Sequence, residues 1–223
     1  MPSSMKAVLF DLDETILDRT ESLRDFVMWQ AQGMLRNAIS NPNQFSQRFI
    51  DLDSKGKVWK DKVYSDLVEE FQIKKWSVSE LLLSYELCFS GFCKPKNGVL
   101  EAIKKLKERG LKLGLVSNGK SPFQERNFEA LGVSSLFDAV IVSEAVGYRK
   151  PQREIFELAC KCIGVEPAQT VFVGDNPVAD IDGANNCGMF TVFIPGRFGE
   201  TYEKANSNCS SFAELVDIVQ NAI

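Results

Sequence analysis

Short runs of apolar residues recur along the chain and alternate with segments of helical period. The runs are AVLF (7–10), LKLGLV (111–116), AVIV (139–142), TVFVG (170–174) and FTVFI (190–194). Between them, apolar residues three or four apart, as at Val99, Ile103 and Leu106, indicate helices. This alternation is typical of a parallel sheet covered by helices on both faces. The pattern therefore predicts a three-layer, Rossmann-like α/β core made of residues 1–16 and 95–223.

The stretch between the first two runs has helical period throughout. One apolar stripe runs from Leu23 to Leu35 and another from Trp59 to Phe71. The segment SVSELLLSYELCF predicts a third helix, because its first serine and the glutamate three residues later have the spacing of a capping box. We therefore predict an all-helical cap domain, residues 17–94, inserted into the α/β core. The aromatic residues of the second stripe, Trp59 and Tyr64, are expected in the interior of the cap, with the lining of a substrate pocket as the alternative for one of them.

Composition and charge make several kinds of partner and of catalysis unlikely for this protein. The net charge is −4 and no long basic block occurs, so we expect no nucleic-acid partner. No apolar run approaches the ~18 residues of a membrane span, and MPSSMK lacks the pattern of a secretory signal, so we expect no membrane partner and a cytoplasmic location. The six cysteines have no CxxC spacing and are expected to be reduced. The chain contains no histidine, which excludes histidine-based catalysis.

Polar residues follow four of the predicted strands, at the ends where parallel sheets bind ligands. They are DLDET, SNG, YRKP and GDNPVAD, in chain order. Asp11 and Asp13 alternate with a leucine and point the same way in an extended trace, and Asp175 joins them from a later strand end. Such carboxylates suit Mg²⁺, which prefers hard oxygen ligands. The donors predicted for a phosphoryl group are Ser117, the backbone N–H groups of the Asn118–Gly119 turn, and Lys150.

The two aspartates of DLDET are predicted to have separate chemical roles. A carboxylate beside Mg²⁺ and a cation can attack phosphorus, and Asp11 lies directly at the strand end. Because no histidine is present, Asp13 is predicted to protonate the leaving alcohol and then to activate water. We interpret the other acids near these motifs as turn, cap or surface residues: Glu14, Asp18, Glu144 and Asp182.

These residues resemble the motifs of the haloacid dehalogenase superfamily of hydrolases, in the subclass with a helical cap inserted after the first motif. The four motifs are matched in order by Asp11, Asp13 and Thr15 (DxDxT), by Ser117, by Lys150, and by Asp175 and Asp180 (GDxxxxD). The resemblance covers essentially the whole predicted core. Thr15 is expected on the substrate side, in the turn that aims Asp13.

The resemblance implies a phosphatase that hydrolyses small phosphorylated metabolites through an aspartyl-phosphate on Asp11. It also implies that Mg²⁺ is held by Asp11, Asp175 and the backbone carbonyl of Asp13. Asp180 would support the metal or Lys150.

The sequence leaves several alternative functions open. Dehalogenases of the superfamily lack the second aspartate of DxDxT, and its phosphomutases rely on a histidine that this chain does not have, so both are disfavoured. A binding or regulatory protein on the same fold is a further alternative. GDNPVAD taken alone also fits a helix start capped by Asp175. Sugar phosphates, nucleotides and phosphoserine all remain candidate substrates, and the pattern makes no prediction of oligomeric state.

Overall fold

The computed structural model describes residues 5–196, 199 and 201–222 and divides them into two compact units. One unit holds the chain up to Asp18 and from Pro95 onward, and the other is Arg19–Lys94. The outer ends of the predicted core, residues 1–4 and 223, lie outside the described part of the chain. Within that part, no helix is both long enough and apolar enough for a membrane span.

The first unit is built on a sheet of parallel strands. The six strands of this sheet in the described ranges are Ala7–Phe10 (β1), Lys112–Ser117 (β2), Ala139–Val142 (β3), Thr170–Gly174 (β4), Phe190–Phe193 (β5) and Ser207–Asn208 (β6). Their spatial order is β3-β2-β1-β4-β5-β6. The predicted parallel sheet is confirmed, and all five apolar runs form strands. β6 has no counterpart in the prediction because it is too short and too polar to stand out as an apolar run.

The register of the sheet determines which strand ends meet. β1 pairs with β2 on one side and β4 on the other, and Phe10 is level with both Leu115 and Val173. Because the three strands run in the same direction, their carboxyl ends lie at one edge of the sheet. The residues that follow them in the sequence are therefore brought together there.

Helices cover this sheet through their apolar sides. The α-helices of the first unit are Val99–Glu108 (α5), Phe123–Glu129 (α6), Ser143–Val146 (α7), Arg153–Ile163 (α8), Gly183–Asn185 (α9) and Phe212–Ala222 (α10). In α8, Ile155, Phe156 and Ile163 are buried, and the Phe156 ring packs edge-on against Phe172 of β4 with 5.1 Å between centroids. The buried side of α8 is thus the face that contacts the sheet.

The second unit is helical. Its α-helices are Arg19–Gln32 (α1), Pro42–Asp53 (α2), Lys60–Glu70 (α3) and Val78–Cys88 (α4). The predicted capping box of α4 is confirmed: Glu80 N–H donates to Ser77 Oγ, and Ser77 N–H donates to a carboxylate oxygen of Glu80 at 2.8 Å. These two bonds satisfy donors that the first turn of a helix leaves without partners.

The helix α2 was not predicted, although its start carries clear signals. Asn41 caps it by accepting from Gln44 N–H at 3.1 Å, and Pro42 occupies the first turn, where its missing N–H costs nothing. Phe45 and Phe49, four residues apart, are both fully buried.

Two details of the predicted stripes are wrong. The first helix ends at Gln32, so Leu35 is buried from a turn rather than from the helix. Trp59 is 67% exposed at the residue before α3, whereas Tyr64 is buried as expected. In both cases the apolar residue lies outside the helix but at a spacing that matches the helical period. The period in the sequence therefore extends beyond the helix boundary.

A buried ion group connects three helices of the second unit. Asp53, at the end of α2, accepts from both terminal nitrogens of Arg19 at 2.9 and 3.0 Å and forms an ion pair with Lys60. Burial by itself raises the pKa of Asp53, but Arg19 and Lys60 outweigh this and lower the pKa to about 2. The carboxylate is therefore ionised throughout the neutral range.

Candidate active site

Asp11 is held in a fixed position at the carboxyl end of β1. Its backbone N–H donates to Val173 O of β4 at 2.9 Å, which continues the sheet pairing by one residue. The Thr15 hydroxyl donates to Asp11 Oδ2 at 3.3 Å, and Thr15 is fully buried. The Thr15 hydroxyl therefore orients Asp11, and the expectation that Thr15 lies on the substrate side and aims Asp13 stays a prediction.

Lys150 lies between two carboxylates in the interior of the site. Its Nζ is 2.6 Å from Asp11 Oδ1 and 2.7 Å from Asp180 Oδ1, and its side chain is 2% exposed. Burial by itself lowers the pKa of Lys150, but the two carboxylates outweigh this effect and raise the pKa well above its ordinary value. The ammonium is therefore charged at neutral pH and balances part of the negative charge around it.

Three buried carboxylates meet at this edge of the sheet. Asp11, Asp175 and Asp180 each offer an oxygen, and these atoms lie within 4.8 Å of one another. Together with Lys150, the four side chains carry a formal charge of −2. Hard oxygen donors with that net charge fit a divalent cation such as Mg²⁺. Asp180 lies within this cluster, and its ion pair with Lys150 agrees with the prediction that it supports the metal or Lys150.

The approach of Asp180 depends on Gly174, the last residue of β4. A Cβ at this position would lie 2.4–2.6 Å from side-chain atoms of Asp180, which is closer than atoms can pack. The segment that carries Asp180, Pro177–Asp182, is a π-helix capped by Asn176, whose Oδ1 accepts from Val178 and Ala179 N–H. The alternative that Asp175 caps this segment is wrong, which leaves the Asp175 carboxylate for the cluster.

Ser117, at the end of β2, contacts a residue that the sequence reading missed. Gln124 of α6 donates from Nε2 to Ser117 Oγ at 3.0 Å and to Asp13 Oδ2 at 3.2 Å. Ser117 and Gln124 are both buried, and Gln124 is 111 residues from Asp13 in the sequence. A glutamine on a short helix carries no motif signal, so only the folded chain brings it to the site.

The turn after Ser117 makes hydrogen bonds to two other segments of the first unit. The Asn118 side chain donates to Lys150 O and accepts from Lys150 N–H, both at 2.9 Å, and so attaches the Lys150 loop to the end of β2. Gly119 N–H donates to Ser143 Oγ at 3.0 Å. The binding of a phosphoryl oxygen by this N–H stays a prediction, and it would require the N–H to leave Ser143 Oγ or to share the bond. The backbone N–H of Asn118 stays a prediction.

Glu14 is neither at the surface nor part of the carboxylate cluster. Its side chain is 3% exposed and forms an ion pair with Lys96 at 2.8 Å. Its φ is +66°, a left-handed backbone conformation, and it lies in the turn that follows β1. The interpretation of Glu14 as a turn residue is confirmed, and the ion pair explains how a buried carboxylate is tolerated there.

Comparisons with known proteins find relatives that match most of the chain. A family model described as haloacid dehalogenase-like hydrolase matches residues 5–188. A protein of Methanocaldococcus jannaschii named glyceraldehyde 3-phosphate phosphatase is 29% identical, over 97% of this chain and 98% of its own length.

Two solved structures resemble the chain along nearly its whole length. An HAD phosphatase from Thermococcus onnurineus is 27% identical with a TM-score of 0.68, covering 96% of this chain and 98% of that one. An HAD hydrolase from Bacillus subtilis is 23% identical with a TM-score of 0.78, covering 97% and 99%, and supports the fold alone.

Proposed function

Since the chain belongs to the haloacid dehalogenase-like hydrolases, we propose that it is a Mg²⁺-dependent phosphatase that hydrolyses small phosphate monoesters through a covalent intermediate on Asp11. The observation that carries this proposal is the position of Asp11. Its carboxylate is nearly buried at the end of β1, held by Lys150 and Thr15, beside the carboxylates of Asp175 and Asp180. A carboxylate fixed in this way is oriented for attack on phosphorus.

In the first step, a carboxylate oxygen of Asp11 bonds to phosphorus, and the bond from phosphorus to the leaving oxygen breaks. Asp13 gives its proton to that oxygen, so the product leaves as an alcohol. Lys150 and the Ser117 hydroxyl are the side chains proposed to contact the phosphoryl oxygens. Both come from neighbouring strand ends, which fixes their spacing relative to Asp11.

In the second step, Asp13 takes a proton from water as the water oxygen bonds to phosphorus. The bond between phosphorus and the Asp11 oxygen breaks, and inorganic phosphate leaves. Asp13 is thereby returned to its protonated form for the next cycle.

The residues proposed to hold Mg²⁺ are Asp11, Asp175 and the backbone carbonyl of Asp13, with Asp180 close enough to add a ligand. When bound, the ion would supply positive charge for the oxygens of the transferring phosphoryl group.

We propose a small phosphorylated metabolite as the substrate. The name of the M. jannaschii relative makes glyceraldehyde 3-phosphate the first compound to test. Sugar phosphates, nucleotides and phosphoserine complete the panel.

The proposal is tested by measuring inorganic phosphate released from this panel and from p-nitrophenyl phosphate. Asp11→Asn keeps the shape of the side chain but removes the nucleophile, and turnover should fall at least about 10⁴-fold. Asp217→Asn, at an exposed position of α10, is the matched control and should retain wild-type activity. EDTA should abolish activity, and added Mg²⁺ should restore it.

Other outcomes would contradict the proposal. Turnover by Asp11→Asn within tenfold of wild type would exclude the nucleophile. Haloacid hydrolysis that survives EDTA and Asp13→Asn would indicate a dehalogenase. Formation of an isomeric phosphate ester, without inorganic phosphate, would indicate a mutase. A blank panel in the presence of Mg²⁺ would favour a binding protein.

A further inference from the structure

We propose that Gln124 is a positioning residue for this reaction, whose side-chain amide sets the orientation of both the Asp13 carboxyl and the Ser117 hydroxyl. The inference rests on the proposed function, since it assigns a task within the same site. Gln124 lies on α6, outside every motif that the sequence resembles, and its side chain bridges residues from two different strand ends.

The two hydrogens on the Gln124 amide nitrogen determine the direction of both of its contacts. Gln124 is 4% exposed, and its Nε2 lies 3.0 Å from Ser117 Oγ and 3.2 Å from Asp13 Oδ2. An amide nitrogen carries two hydrogens and accepts none, so both contacted oxygens act as acceptors.

This assignment determines where the two exchangeable protons lie. Oδ2 of Asp13 accepts from Gln124, and the carbonyl-type oxygen of a carboxylic acid is a stronger acceptor than its hydroxyl oxygen. The contact therefore favours the protonated form of Asp13 that carries its hydrogen on Oδ1. Since Ser117 Oγ also accepts from Gln124, the hydrogen of its hydroxyl is directed to another acceptor, as a phosphoryl oxygen requires. One amide therefore presents two donors to the substrate at once.

The carbonyl end of the Gln124 amide also has a hydrogen-bond partner. Asn127, which is 1% exposed, donates from Nδ2 to Gln124 Oε1 at 3.3 Å, so the carbonyl end of the amide has its own donor. Gly119 provides the space for the side chain, since a Cβ at this position would lie 2.6 Å from Gln124 Cγ. With Asn127 in this orientation, a reversed Gln124 amide would place its NH₂ group against the Asn127 NH₂ group and its carbonyl oxygen against the Asp13 carboxyl.

Asp13, oriented by Gln124, transfers a proton in each of the two steps. In the first, the O–H bond at Asp13 Oδ1 breaks as the leaving oxygen gains the proton and its bond to phosphorus breaks. In the second, Asp13 Oδ1 gains a proton from water as the water oxygen bonds to phosphorus and the Asp11 oxygen leaves. The first step depends on this proton only when the leaving oxygen is a poor leaving group.

Leaving groups of different acidity therefore test the inference. Phenyl phosphate and p-nitrophenyl phosphate differ little in shape, but p-nitrophenol is the more acidic alcohol and leaves without protonation. The variants are Gln124→Met, which removes both donors at similar length, and Gln124→Glu, which keeps the acceptor for Asn127. The control is Glu129→Gln, an exposed change of the same size on the same helix.

We expect kcat/KM for phenyl phosphate to fall about tenfold or more relative to kcat/KM for p-nitrophenyl phosphate in both Gln124 variants. The kcat for p-nitrophenyl phosphate should fall together with its KM, because Asp13 must still activate water in the second step. The ratio of two kcat/KM values from one preparation does not depend on how much protein is folded, so loss of stability does not disguise the result. The control should keep the wild-type ratio.

A ratio unchanged in both Gln124 variants, with wild-type enzyme active, would overturn the positioning role and leave the proposed function standing. Absence of turnover by the wild-type enzyme on every phosphate ester would instead refute the proposed function itself.

Discussion

Replacing Lys150 by Met tests how much the buried charges of the site depend on a single cation. Lys150 Nζ lies 2.6 Å from Asp11 Oδ1 and 2.7 Å from Asp180 Oδ1, and the side chains of Lys150, Asp11 and Asp180 are 2%, 9% and 1% exposed. Met keeps the length and apolar stem of the side chain and removes only the charge. The variant therefore leaves buried carboxylates beside one another without the ammonium that lies between them.

Removing one partner of a buried ion pair costs about 3–5 kcal/mol of the free energy of unfolding. For a chain of this size, each kcal/mol lowers the melting temperature by about 2–4 °C, so we expect a decrease on the order of 10 °C in EDTA. Thermal unfolding followed by circular dichroism at pH 7.5 measures it. Millimolar Mg²⁺ should raise the melting temperature more in the variant than in the wild type, because a cation among the same carboxylates replaces part of the lost charge.

The matched control is Lys62→Met, which removes a lysine from an ion pair with Asp66 on the surface of α3, where the lysine side chain is 64% exposed. An exposed pair contributes below about 1 kcal/mol, so the control should unfold within a few degrees of wild type. A Lys150→Met variant as stable in EDTA as this control would refute the reasoning, because it would mean that the buried carboxylates do not need the ammonium.

Two further predictions concern other parts of the chain. Asp53 has a pKa lowered to about 2 by Arg19 and Lys60 against the raising effect of burial, so its contribution to stability is complete above pH ~4 and is lost as pH falls toward 2. Asp53→Asn should therefore lose stability at pH 7, by about 2–3 kcal/mol, and show a flatter acid limb in melting temperature against pH; an unchanged limb would contradict this. Gly119→Ala forces Gln124 to move and should reproduce the leaving-group effect of Gln124→Met; a wild-type kcat/KM ratio in this variant would contradict the packing argument.

The sheet and the strand-end motifs were predictable because their signals are local. A strand buried on both faces must be apolar along its whole length, and β1 and β4 are buried at every residue, so their runs stand out in the sequence. The capping box of α4 is equally local, since both of its hydrogen bonds join residues three positions apart. The helix α2 had local signals too, in its Asn41 cap and Pro42, and was missed in spite of them.

Other details could not be read from the sequence pattern. The bond from the Thr15 hydroxyl to Asp11 and the bond from Gly119 N–H to Ser143 both depend on how the loops at the strand ends fold. Trp59 keeps the spacing of a buried stripe, yet nothing in its spacing reveals that the helix starts after it. Periodicity describes which residues share a face, and it says little about where that face ends.

The sequence by itself determined the class of fold, the alternation of strands and helices, and the order of the polar residues that follow the strands, because each of these is encoded in neighbouring residues. The tertiary structure decided which strand ends are neighbours, and hence that Asp180 joins Asp11 and Asp175 around Lys150. It alone brought Gln124 to Asp13 across 111 residues. The physical reason is that strand order and side-chain direction follow from packing the whole chain, whereas the sequence pattern records only the local requirement for burial.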